Sequence, residues 1–239
     1  MLLSAGVGSR LRPLTDHKPK ALIEVGGITL LERAIRQLTR HGVDEIILNV
    51  HHFGDQIAAF LKEKTHFGIN IVLSDERDLL LDTGGGLKKA AWFFEEGGSF
   101  LVYNVDVLTN LDLSALFHAH IQSGNLATLA VRNRPANRCL LFDPNLKLLG
   151  WRNHKTGETR WCAPEDPSAA ELAFSGIQIF DPAIFAYFPD FPVFSLVELY
   201  LGAGVAGKVS GYLHDDTLWM DAGKIEDIEL AEELVKKMG

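Results

Sequence analysis

Charged residues suited to phosphate chemistry lie close to glycines near the start of the chain. Arg10 and Lys20 are part of the run SAGVGSRLRPLTDHKPK, which begins at Ser4 and directly follows an apolar stub. Pro13 and Pro19 each fix their backbone φ, so the segment between the two cations is stiff. An arginine fork and a lysine point charge held in this way can neutralise one polyphosphate.

The backbone of the same run offers a second kind of phosphate contact. A strand that ends in Ala5-Gly6 and continues to Gly8 turns sharply off a sheet, and glycines let backbone N–H groups form a nest around an anion. Ligands of open α/β sheets bind beyond the carboxyl ends of strands, where this loop is expected. The spacing matches neither G-x-x-x-x-G-K-[ST] nor G-x-G-x-x-G, so the glycines by themselves are equally consistent with an ordinary turn.

Two carboxylates are candidates for a metal site. Asp106 follows the apolar run FLVYNV, and Asp221 lies much later in the chain, in WMDAG. A charge at the end of a buried strand belongs in the crevice beyond the sheet, because it cannot join the core. Two carboxylates, phosphate oxygens and water form a hard oxygen site that suits Mg²⁺. Each aspartate also has the simpler interpretation of a turn residue.

Composition limits the class of protein. The 239 residues are 47% hydrophobic and 23% charged, as in ordinary globular proteins. The net charge of −8 argues against general affinity for nucleic acid, while a net +4 within residues 1–40 suits a small anion held locally. No apolar run approaches the ~18 residues of a membrane span, no signal peptide precedes the first motif, and Cys139 and Cys162 match no metal or redox spacing. We therefore expect a cytoplasmic protein.

The elements that must position these residues alternate between strand and helix in the first half. Strands are predicted there at residues 2–5, 45–50, 69–73 and 100–104, and helices at 30–40, 53–63, 86–94 and 113–122. This alternation predicts βαβ units in a mostly parallel sheet with helices on both sides.

The second half reads differently, with shorter strands. They are predicted at 127–131, 138–142, 147–151, 172–180, 208–213 and 217–220, with a polar loop over 153–168 and a closing helix over 225–237. We expect one α/β domain over residues 1–239, with a change of pattern between residues 1–124 and 125–239.

The motifs together resemble those of nucleotidyltransferases that make nucleotide sugars from sugar 1-phosphates. The run SAGVGSRLRPLTDHKPKALIEVGG is similar to their signature, roughly L-A-A-G-x-G-x-R-L-x-P-L-T followed by P-K-x-L. The segments LLDTGGGLKKA, LVYNVDVLTNLDL, FSGIQIF and WMDAGKIEDIELA extend the resemblance over essentially the whole chain. Within the family, DTGGG and the short C-terminus look most like the N-acetylmuramate 1-phosphate uridylyltransferases of cell-wall recycling.

The resemblance implies a Rossmann-like fold of the nucleotide-diphospho-sugar transferase type and transfer of a nucleotidyl group from a nucleoside triphosphate to a sugar 1-phosphate, with release of pyrophosphate. Arg10 would brace the triphosphate, and Lys20 would contact the α-phosphate or the attacking phosphate. Without ligand, we expect the Lys20 side chain to face solvent. Asp106 and Asp221 would share one Mg²⁺.

The resemblance also implies that residues 1–124 are the nucleotide-binding half and residues 125–239 the sugar-binding half, and it assigns the nucleotide contacts. They are Ser4, Ala5, Gly6, Gly8, Glu76, Gly84 and Gly85. The last two belong to a second glycine loop, which precedes a helix and lets a flat base approach closely. Glu76 would read the edge of the base, and its carboxylate suits guanine as well as uracil; its simpler interpretation is a solvated charge.

Contacts to the sugar are expected from Asn104, Arg152, Ser175 and Gly176. The family usually has Gly-Asp at the first metal carboxylate, whereas this chain has Asn104-Val105 before the aspartate. The family's Glu-Lys-Pro is replaced by Gly-Trp-Arg-Asn, so Arg152 or Asn153 is the candidate for the missing lysine contact.

Three alternatives stay open at this point. One is a guanylyltransferase acting on mannose or heptose 1-phosphate, and another keeps the fold with a different acceptor, such as choline phosphate or a molybdopterin-type alcohol. The third is a non-catalytic regulatory domain that binds nucleotides. The LRPLT form favours a sugar phosphate, and we expect UTP or dTTP as donor. The partners are then small molecules, with no nucleic acid or membrane, and the chain is a monomer or a small homo-oligomer.

Overall fold

The structure, a computed structural model, describes residues 1–238. The chain forms two compact units. Unit 1 contains Met1–Leu81, Tyr103–Leu113 and the segment from Thr217 onward, and unit 2 contains Asp82–Val102 and Ser114–Asp216. The predicted halves, 1–124 and 125–239, follow the chain order, whereas the units do not, because the chain passes between them more than once.

The elements alternate as expected for an α/β protein. The strands are β1 Leu2–Leu3, β2 Glu24–Val25, β3 Ile28–Thr29, β4 Glu45–Val50, β5 Asn70–Asp75, β6 Phe100–Asn104, β7 Val107–Thr109, β8 Ala127–Arg132, β9 Arg138–Phe142, β10 Leu148–Asn153, β11 Glu158–Trp161, β12 Ala170–Phe180, β13 Val209–Leu213 and β14 Trp219–Asp221. The helices are α1 Leu30–Arg40, α2 Gly54–Glu63, α3 Asp82–Ala90, α4 Leu113–Ser123, α5 Leu196–Gly204 and α6 Asp227–Met238. Among the described residues, no helix has the length and apolar character needed to cross a bilayer.

Parallel strands form the centre of unit 1. β1 lies between β4 and the end of β6 and runs parallel to both, and β5 extends the sheet beyond β4. Leu2 is directly opposite Leu48 on one side and Tyr103 on the other. All three side chains are fully or almost fully buried. Such strands are apolar on both faces, which explains why EIILNV and FLVYN read as continuous hydrophobic runs.

Helix α1 shows why this part of the chain folds as predicted. The Thr29 hydroxyl accepts a hydrogen bond from the backbone N–H of Glu32 at 3.1 Å, which is the usual N-cap arrangement. Leu31, Ile35 and Leu38 recur at helical spacing and are buried. The helix therefore has both a defined start and an apolar face.

Two small antiparallel pairs complete unit 1. β2 and β3 form a hairpin, and β14 pairs with β7, with Asp221 opposite Val107. Behind the second pair lies a buried cluster that includes Leu108, Ala222 and Ala231, the last from α6. This cluster fixes the ends of β7 and β14 against α6, and therefore the segments that carry the two predicted metal ligands.

Unit 2 contains a mixed sheet. β8 pairs with β12 in antiparallel and with β13 in parallel orientation, and β9, β10 and β11 continue from β12 as antiparallel neighbours. The prediction of a mixed sheet flanked by helices is confirmed. The predicted loop over 153–168 is wrong in part, since it contains β11, which pairs with β10. Helix α5 was not predicted; Ser195 caps it by accepting from the N–H of Val197 at 3.3 Å.

Candidate functional site

The loop after β1 is held in shape by its own residues. Gly8 has φ +66°, a conformation that favours glycine, and it precedes a short 3-10 turn over Ser9–Leu11. The hydroxyl of Thr15 donates to the Gly8 carbonyl at 2.9 Å. A Cβ on Gly8 would lie 3.0 Å from Thr15 Cγ2 and 3.1 Å from Lys20 Cβ. Glycine is therefore needed here both for the backbone conformation and for the close approach of Lys20.

Gly6, two residues earlier, has the opposite surroundings. A Cβ added there would meet no atom within 4 Å, and the residue is exposed, whereas Ala5 before it is buried. The backbone therefore enters the loop from the core and reaches open space at Gly6. This is the arrangement required if a ligand approaches the backbone at Gly6.

A buried hydrogen-bond network fixes the start of the loop. The side-chain oxygen of Asn49, on β4, accepts from the N–H of Ser4 at 2.7 Å and from that of Ala5 at 3.3 Å. The Ser4 hydroxyl donates back to the Asn49 carbonyl at 2.5 Å. The Asn49 amide donates in turn to the carboxylate of Glu76 at 2.8 Å. Asn49 was not predicted as a site residue, although an asparagine inside the apolar run IILNV is an unusual residue in a buried strand.

Glu76 is not a solvated charge, since it is 1% exposed. One of its oxygens accepts from Asn49, and the other accepts from the N–H of Leu81 at 3.4 Å. His51 also contacts the Glu76 carbonyl, through Nδ1 at 2.7 Å. The carboxylate thus anchors the strand ends in unit 1. Its contact with a nucleotide base stays a prediction, and such a contact has to share or exchange these internal hydrogen bonds.

Lys20 and Asp106 come together as an ion pair. The Lys20 ammonium group donates to the Asp106 carboxylate, and the two side chains are only 12% and 18% exposed. The expectation that Lys20 faces solvent without ligand is therefore wrong. The backbone at Pro19 and the turn at Gly8 bring Lys20 close to the end of β6. The Asp106 carboxylate there is partly desolvated, so leaving it unpaired would cost free energy.

Asp106 lies in the tight turn between β6 and β7. The Tyr103 hydroxyl donates across this turn to the Val107 carbonyl at 3.0 Å. Burial, and then the charge of Asp106, raises the pKa of Tyr103, so its hydroxyl stays a donor at neutral pH. Asn104 ends β6 opposite Leu3 and is half-buried; its contact with a sugar stays a prediction.

The two predicted metal ligands lie on adjacent segments of unit 1. Asp221 is opposite Val107, the residue after Asp106, and the N–H of Ala222 donates to the Asp106 carbonyl at 2.9 Å. Directly opposed residues of an antiparallel pair have Cα atoms about 5 Å apart. The fold thus brings together the backbones of two aspartates that are far apart in sequence, as the shared-metal prediction requires. The sharing of an ion stays a prediction.

Arg10 joins the same region through a glycine. A Cβ on Gly223 would lie 2.9 Å from Asp221 Oδ1 and 3.0 Å from an Arg10 guanidinium nitrogen. The Arg10 and Asp221 side chains thus both border the space beside Gly223, and a larger residue there would displace at least one of them. Gly223, in the run MDAGK, was not among the predicted site residues. A glycine two positions after the predicted metal ligand was the available signal.

The second glycine run lies in unit 2 and differs from its prediction. Gly84 and Gly85 are in the first turn of α3, which begins at Asp82, so the prediction of a loop before a helix is wrong. Their N–H groups donate to the Phe194 carbonyl at 2.9 and 3.1 Å. A Cβ on Gly84 would lie 2.4 Å from two ring carbons of Phe194. One reason for glycine here is therefore the close packing of an aromatic ring, and the nucleotide contact stays a prediction.

The predicted sugar contacts of unit 2 have internal partners. Arg152 pairs with Glu171 and also donates to the Thr159 hydroxyl at 3.0 Å. Ser175 is fully buried and contacts His214 Nε2 at 2.8 Å. Gly176 has φ +77° at a break in the pairing of β12 with β8, which is a bulge position. Contacts of these residues with a sugar stay predictions.

The burial of His214 has a further consequence. Burial, followed by the charge of Arg132, lowers the pKa of His214 to about 4. The imidazole is thus neutral at physiological pH and forms a hydrogen bond with the Ser175 hydroxyl. Sequence patterns gave no indication of this pair, because the two residues lie on different segments.

Unit 1 therefore gathers two cations and two carboxylates around an open glycine loop. The carboxylates are hard oxygen donors of the kind Mg²⁺ prefers, and the arginine and lysine are suited to phosphate oxygens. Residues 1–139 match the family described as nucleotidyl transferase.

Relatives cover almost all of the chain. It is 34% identical over 231 residues to the N-acetylmuramate alpha-1-phosphate uridylyltransferase of Caulobacter vibrioides, with coverage of 93% of this chain and 90% of that protein. It is also 34% identical over 240 residues to the protein of the same name from Neisseria meningitidis, with coverage of 98% and 96%.

Solved structures of nucleotidyltransferases have a similar fold. The inositol-1-phosphate CTP transferase from T. maritima aligns with a TM-score of 0.78 at 18% identity, over 99% of this chain and 94% of that one. Because the family match covers more than half of the chain and includes the glycine loop, Lys20 and Asp106, the chain belongs to the nucleotidyl transferase family.

Proposed function

We propose that this protein transfers a nucleotidyl group from a nucleoside triphosphate to a sugar 1-phosphate, releasing pyrophosphate and forming a nucleotide sugar. The best-supported pair of substrates is UTP and N-acetylmuramate 1-phosphate, since both relatives described above carry that activity in their names. This pair would place the enzyme in cell-wall recycling in the cytoplasm, as a monomer or a small homo-oligomer.

One observation carries the proposal. Arg10, Lys20, Asp106 and Asp221 come from three separate segments of the chain, and all lie in unit 1 beside an open glycine loop. A non-catalytic nucleotide-binding domain does not need paired carboxylates next to the phosphate-binding cations. The complete set supports catalysis rather than sensing.

The reaction assigns each group a task. An oxygen of the sugar phosphate attacks the α-phosphorus, a new P–O bond forms, and the bond between the α-phosphorus and the bridging oxygen to the β-phosphate breaks. Pyrophosphate leaves with that oxygen. The protein mainly positions the two phosphates and neutralises charge. Arg10 would stabilise the departing pyrophosphate, and Lys20 would hold the α-phosphate or the attacking phosphate.

Lys20 has to change partner in this scheme. Without substrate it pairs with Asp106. A phosphate offers a stronger negative charge, so binding of the triphosphate would draw the ammonium group toward it. Asp106 would then have lost the cation that neutralises it, and a bound metal cation would take the place of the lysine.

Mg²⁺ is the cation that fits this position. Asp106 and Asp221 supply carboxylate oxygens from adjacent segments, and neither β7 nor β14 contains a cysteine or a histidine. Bound Mg²⁺ would neutralise charge on the phosphate oxygens. The backbone N–H groups around Gly6 would hold the nucleotide against the strand ends, together with Ser4, Ala5 and Gly8.

The choice of base is the finer part of the proposal. Glu76 suits uracil N3–H and equally suits guanine N1–H and N2–H, so this residue does not decide between them. The similarity to uridylyltransferases favours UTP over GTP as the donor, with dTTP as the closest substitute for UTP.

A substrate panel tests the proposal. The purified protein is incubated with Mg²⁺ and each of UTP, dTTP, CTP, GTP and ATP, against N-acetylmuramate, N-acetylglucosamine, glucose and mannose 1-phosphates, and pyrophosphate release is measured. We expect the highest kcat/KM with UTP and N-acetylmuramate 1-phosphate. A preference of more than tenfold for GTP would overturn the uridylyl assignment, and no release with any pair would overturn the reaction class.

A further inference from the structure

Three side chains of the kinds that zinc prefers meet in unit 2. Cys139 lies on β9, His154 directly follows β10, and Glu171 lies on β12. The thiol sulfur, an imidazole nitrogen and a carboxylate oxygen of these residues all lie within 4.8 Å of one another. None of the three is among the residues to which the proposed transfer reaction assigns a task.

The sheet explains why they meet. Side chains alternate between the two faces of a strand, so residues two apart share a face. Cys139 is directly opposite Arg152, and Glu171 is opposite Leu141, which shares the face of Cys139. The N–H of His154 donates to the Asn137 carbonyl at 2.8 Å, which continues the pairing of β10 with β9 by one residue.

We propose that Cys139, His154 and Glu171 bind one divalent transition-metal ion of the zinc type, with water as the fourth ligand. Thiolate, imidazole and carboxylate are the usual zinc ligands, and three protein ligands plus water is a common set. Ligand atoms around a tetrahedral Zn²⁺ are about 3–4 Å apart, given metal–ligand distances near 2.0–2.3 Å. His154 and Glu171 are partly exposed at 46% and 31% of their side chains, so small rotations of these two can close the remaining gap.

The surrounding hydrogen bonds already orient two of the ligands. His154 Nε2 and Glu171 Oε2 are at a hydrogen-bond distance of 2.7 Å, and a metal ion would replace the proton between them. Arg152 binds the other oxygen of Glu171. Carboxylate ligands of metals are characteristically held by a second hydrogen bond of this kind. Arg152 would therefore position Glu171 without occupying the atom that the metal needs.

The soft ligand separates this site from the proposed Mg²⁺ site. Asp106 and Asp221 offer only oxygen, whereas Cys139 offers sulfur, which selects zinc-like ions over Mg²⁺. Bound metal would link β9, β12 and the end of β10. The ion would therefore stabilise the fold of unit 2 without entering the transfer reaction.

Cobalt spectroscopy tests the proposal. The full-length protein, stripped with a chelator, is titrated with Co²⁺, because a thiolate bound to Co²⁺ gives a charge-transfer band in the near ultraviolet and an oxygen-only site does not. We expect the band to saturate at one Co²⁺ per chain and to disappear when Zn²⁺ is added. Cys139→Ser should abolish it, whereas Cys162→Ser, the matched control with the other thiol, and Asp221→Asn should leave it unchanged.

A second variant protects the test against misfolding, because Cys139 is buried. His154→Ala changes an exposed side chain and should fold normally by circular dichroism, yet weaken Co²⁺ binding at least tenfold. Zn²⁺ should also raise the melting temperature of the wild type and not that of His154→Ala. Absence of the band in the wild type, its survival in Cys139→Ser, or unchanged affinity in a folded His154→Ala would overturn the proposal.

Discussion

The ammonium group of Lys20 forms an ion pair with the carboxylate of Asp106, although 86 positions separate them in the chain. The pair joins the glycine loop after β1 to the turn after β6. The positive charge of Lys20 is thus neutralised by a carboxylate of the same unit. In the proposed reaction, a bound phosphate would replace Asp106 as the partner of the lysine, so the same residue would contribute to both stability and turnover.

Lys20→Ala should lower both of these properties. We expect kcat to fall by roughly 10²–10³-fold, which is typical for the loss of one preorganised charge contact at a transition state. Because the variant leaves Asp106 partly buried and unpaired, the free energy of unfolding should also fall, by about 1–2 kcal/mol, between the values for exposed and buried pairs. Steady-state kinetics and denaturant unfolding measure the two effects.

Lys18→Ala is the matched control, since it removes a lysine two residues away in the same loop. It should change neither quantity appreciably. The double variant Lys20→Ala with Asp106→Asn should be more stable than the sum of the single effects predicts, since no unpaired charge is left. A Lys20→Ala variant that keeps full activity would contradict the assigned role.

Gly6→Ala and Gly8→Ala should have opposite effects. A methyl group at Gly6 meets nothing within 4 Å, so the fold should be as stable as before, or more stable by up to about 1 kcal/mol. If the nucleotide approaches this backbone, kcat/KM for the triphosphate should fall at least tenfold. Gly8→Ala should instead destabilise the protein by about 1–3 kcal/mol, because φ is +66° and Thr15 is already at contact distance. Normal kinetics in Gly6→Ala would show that the ligand binds elsewhere.

Gly84→Ala tests the packing reason for a glycine in α3. The new methyl would lie 2.4 Å from ring carbons of Phe194 and 2.9 Å from its carbonyl oxygen, so the ring or the helix has to move. We expect a loss of about 1–3 kcal/mol in the free energy of unfolding, as for other overpacked cores. Gly98→Ala, where a methyl meets nothing within 4 Å, is the control and should be neutral. Equal stabilities of the two variants would contradict the contact.

His214 predicts a loss of stability in mild acid. Its pKa is about 4 in the folded protein, against an ordinary value of 6.5 for the unfolded chain, so between these values only the unfolded chain takes up the proton. Stability contributed by the neutral imidazole is complete above pH 6.5 and is lost as the pH falls toward 4, by on the order of 3 kcal/mol at ~1.4 kcal/mol per pKa unit.

His214→Gln should remove this part of the pH dependence. Burial also lowers the pKa of His120, so that residue adds a slope of the same sign in both proteins. The quantity to compare is therefore the difference in unfolding free energy between wild type and His214→Gln, measured from about pH 7.5 to about pH 4.5. A difference that does not change with pH would show that folding does not lower the pKa of His214.

Long periodic elements were predictable from the sequence. The bounds of α1, β4, β6 and β9 are as predicted, because each combines an apolar pattern with clear end signals. The short strands β2, β3, β7 and β11 were missed, since two to four residues carry too little pattern to be recognised. The glycines of α3 predicted a loop, because glycine is unfavourable inside a helix. The packing of the Phe194 ring against Gly84 explains the glycine, and it depends on a residue that is distant in sequence.

The candidate site was predictable in kind rather than in detail. The sequence predicted Arg10, Lys20, Asp106 and Asp221 as site residues, and the structure places the lysine against one aspartate and the arginine beside the other. Their roles in the reaction stay predictions. The pairing itself was not foreseen, nor were Asn49 and Gly223, because these roles depend on three-dimensional neighbours. The Cys139 cluster escaped spacing rules for the same reason: its members lie on three different segments.

The most direct measurement follows each phosphate of the donor. UTP labelled at the α-phosphate, and in parallel at the γ-phosphate, is incubated with N-acetylmuramate 1-phosphate, Mg²⁺ and the enzyme, and the products are separated. The account predicts that the α-label enters the nucleotide sugar and the γ-label enters pyrophosphate, with both transfers falling at least 100-fold in Asp221→Asn. Transfer of the γ-label to the sugar phosphate, or release of the α-label as free UMP without a nucleotide sugar, would contradict nucleotidyl transfer.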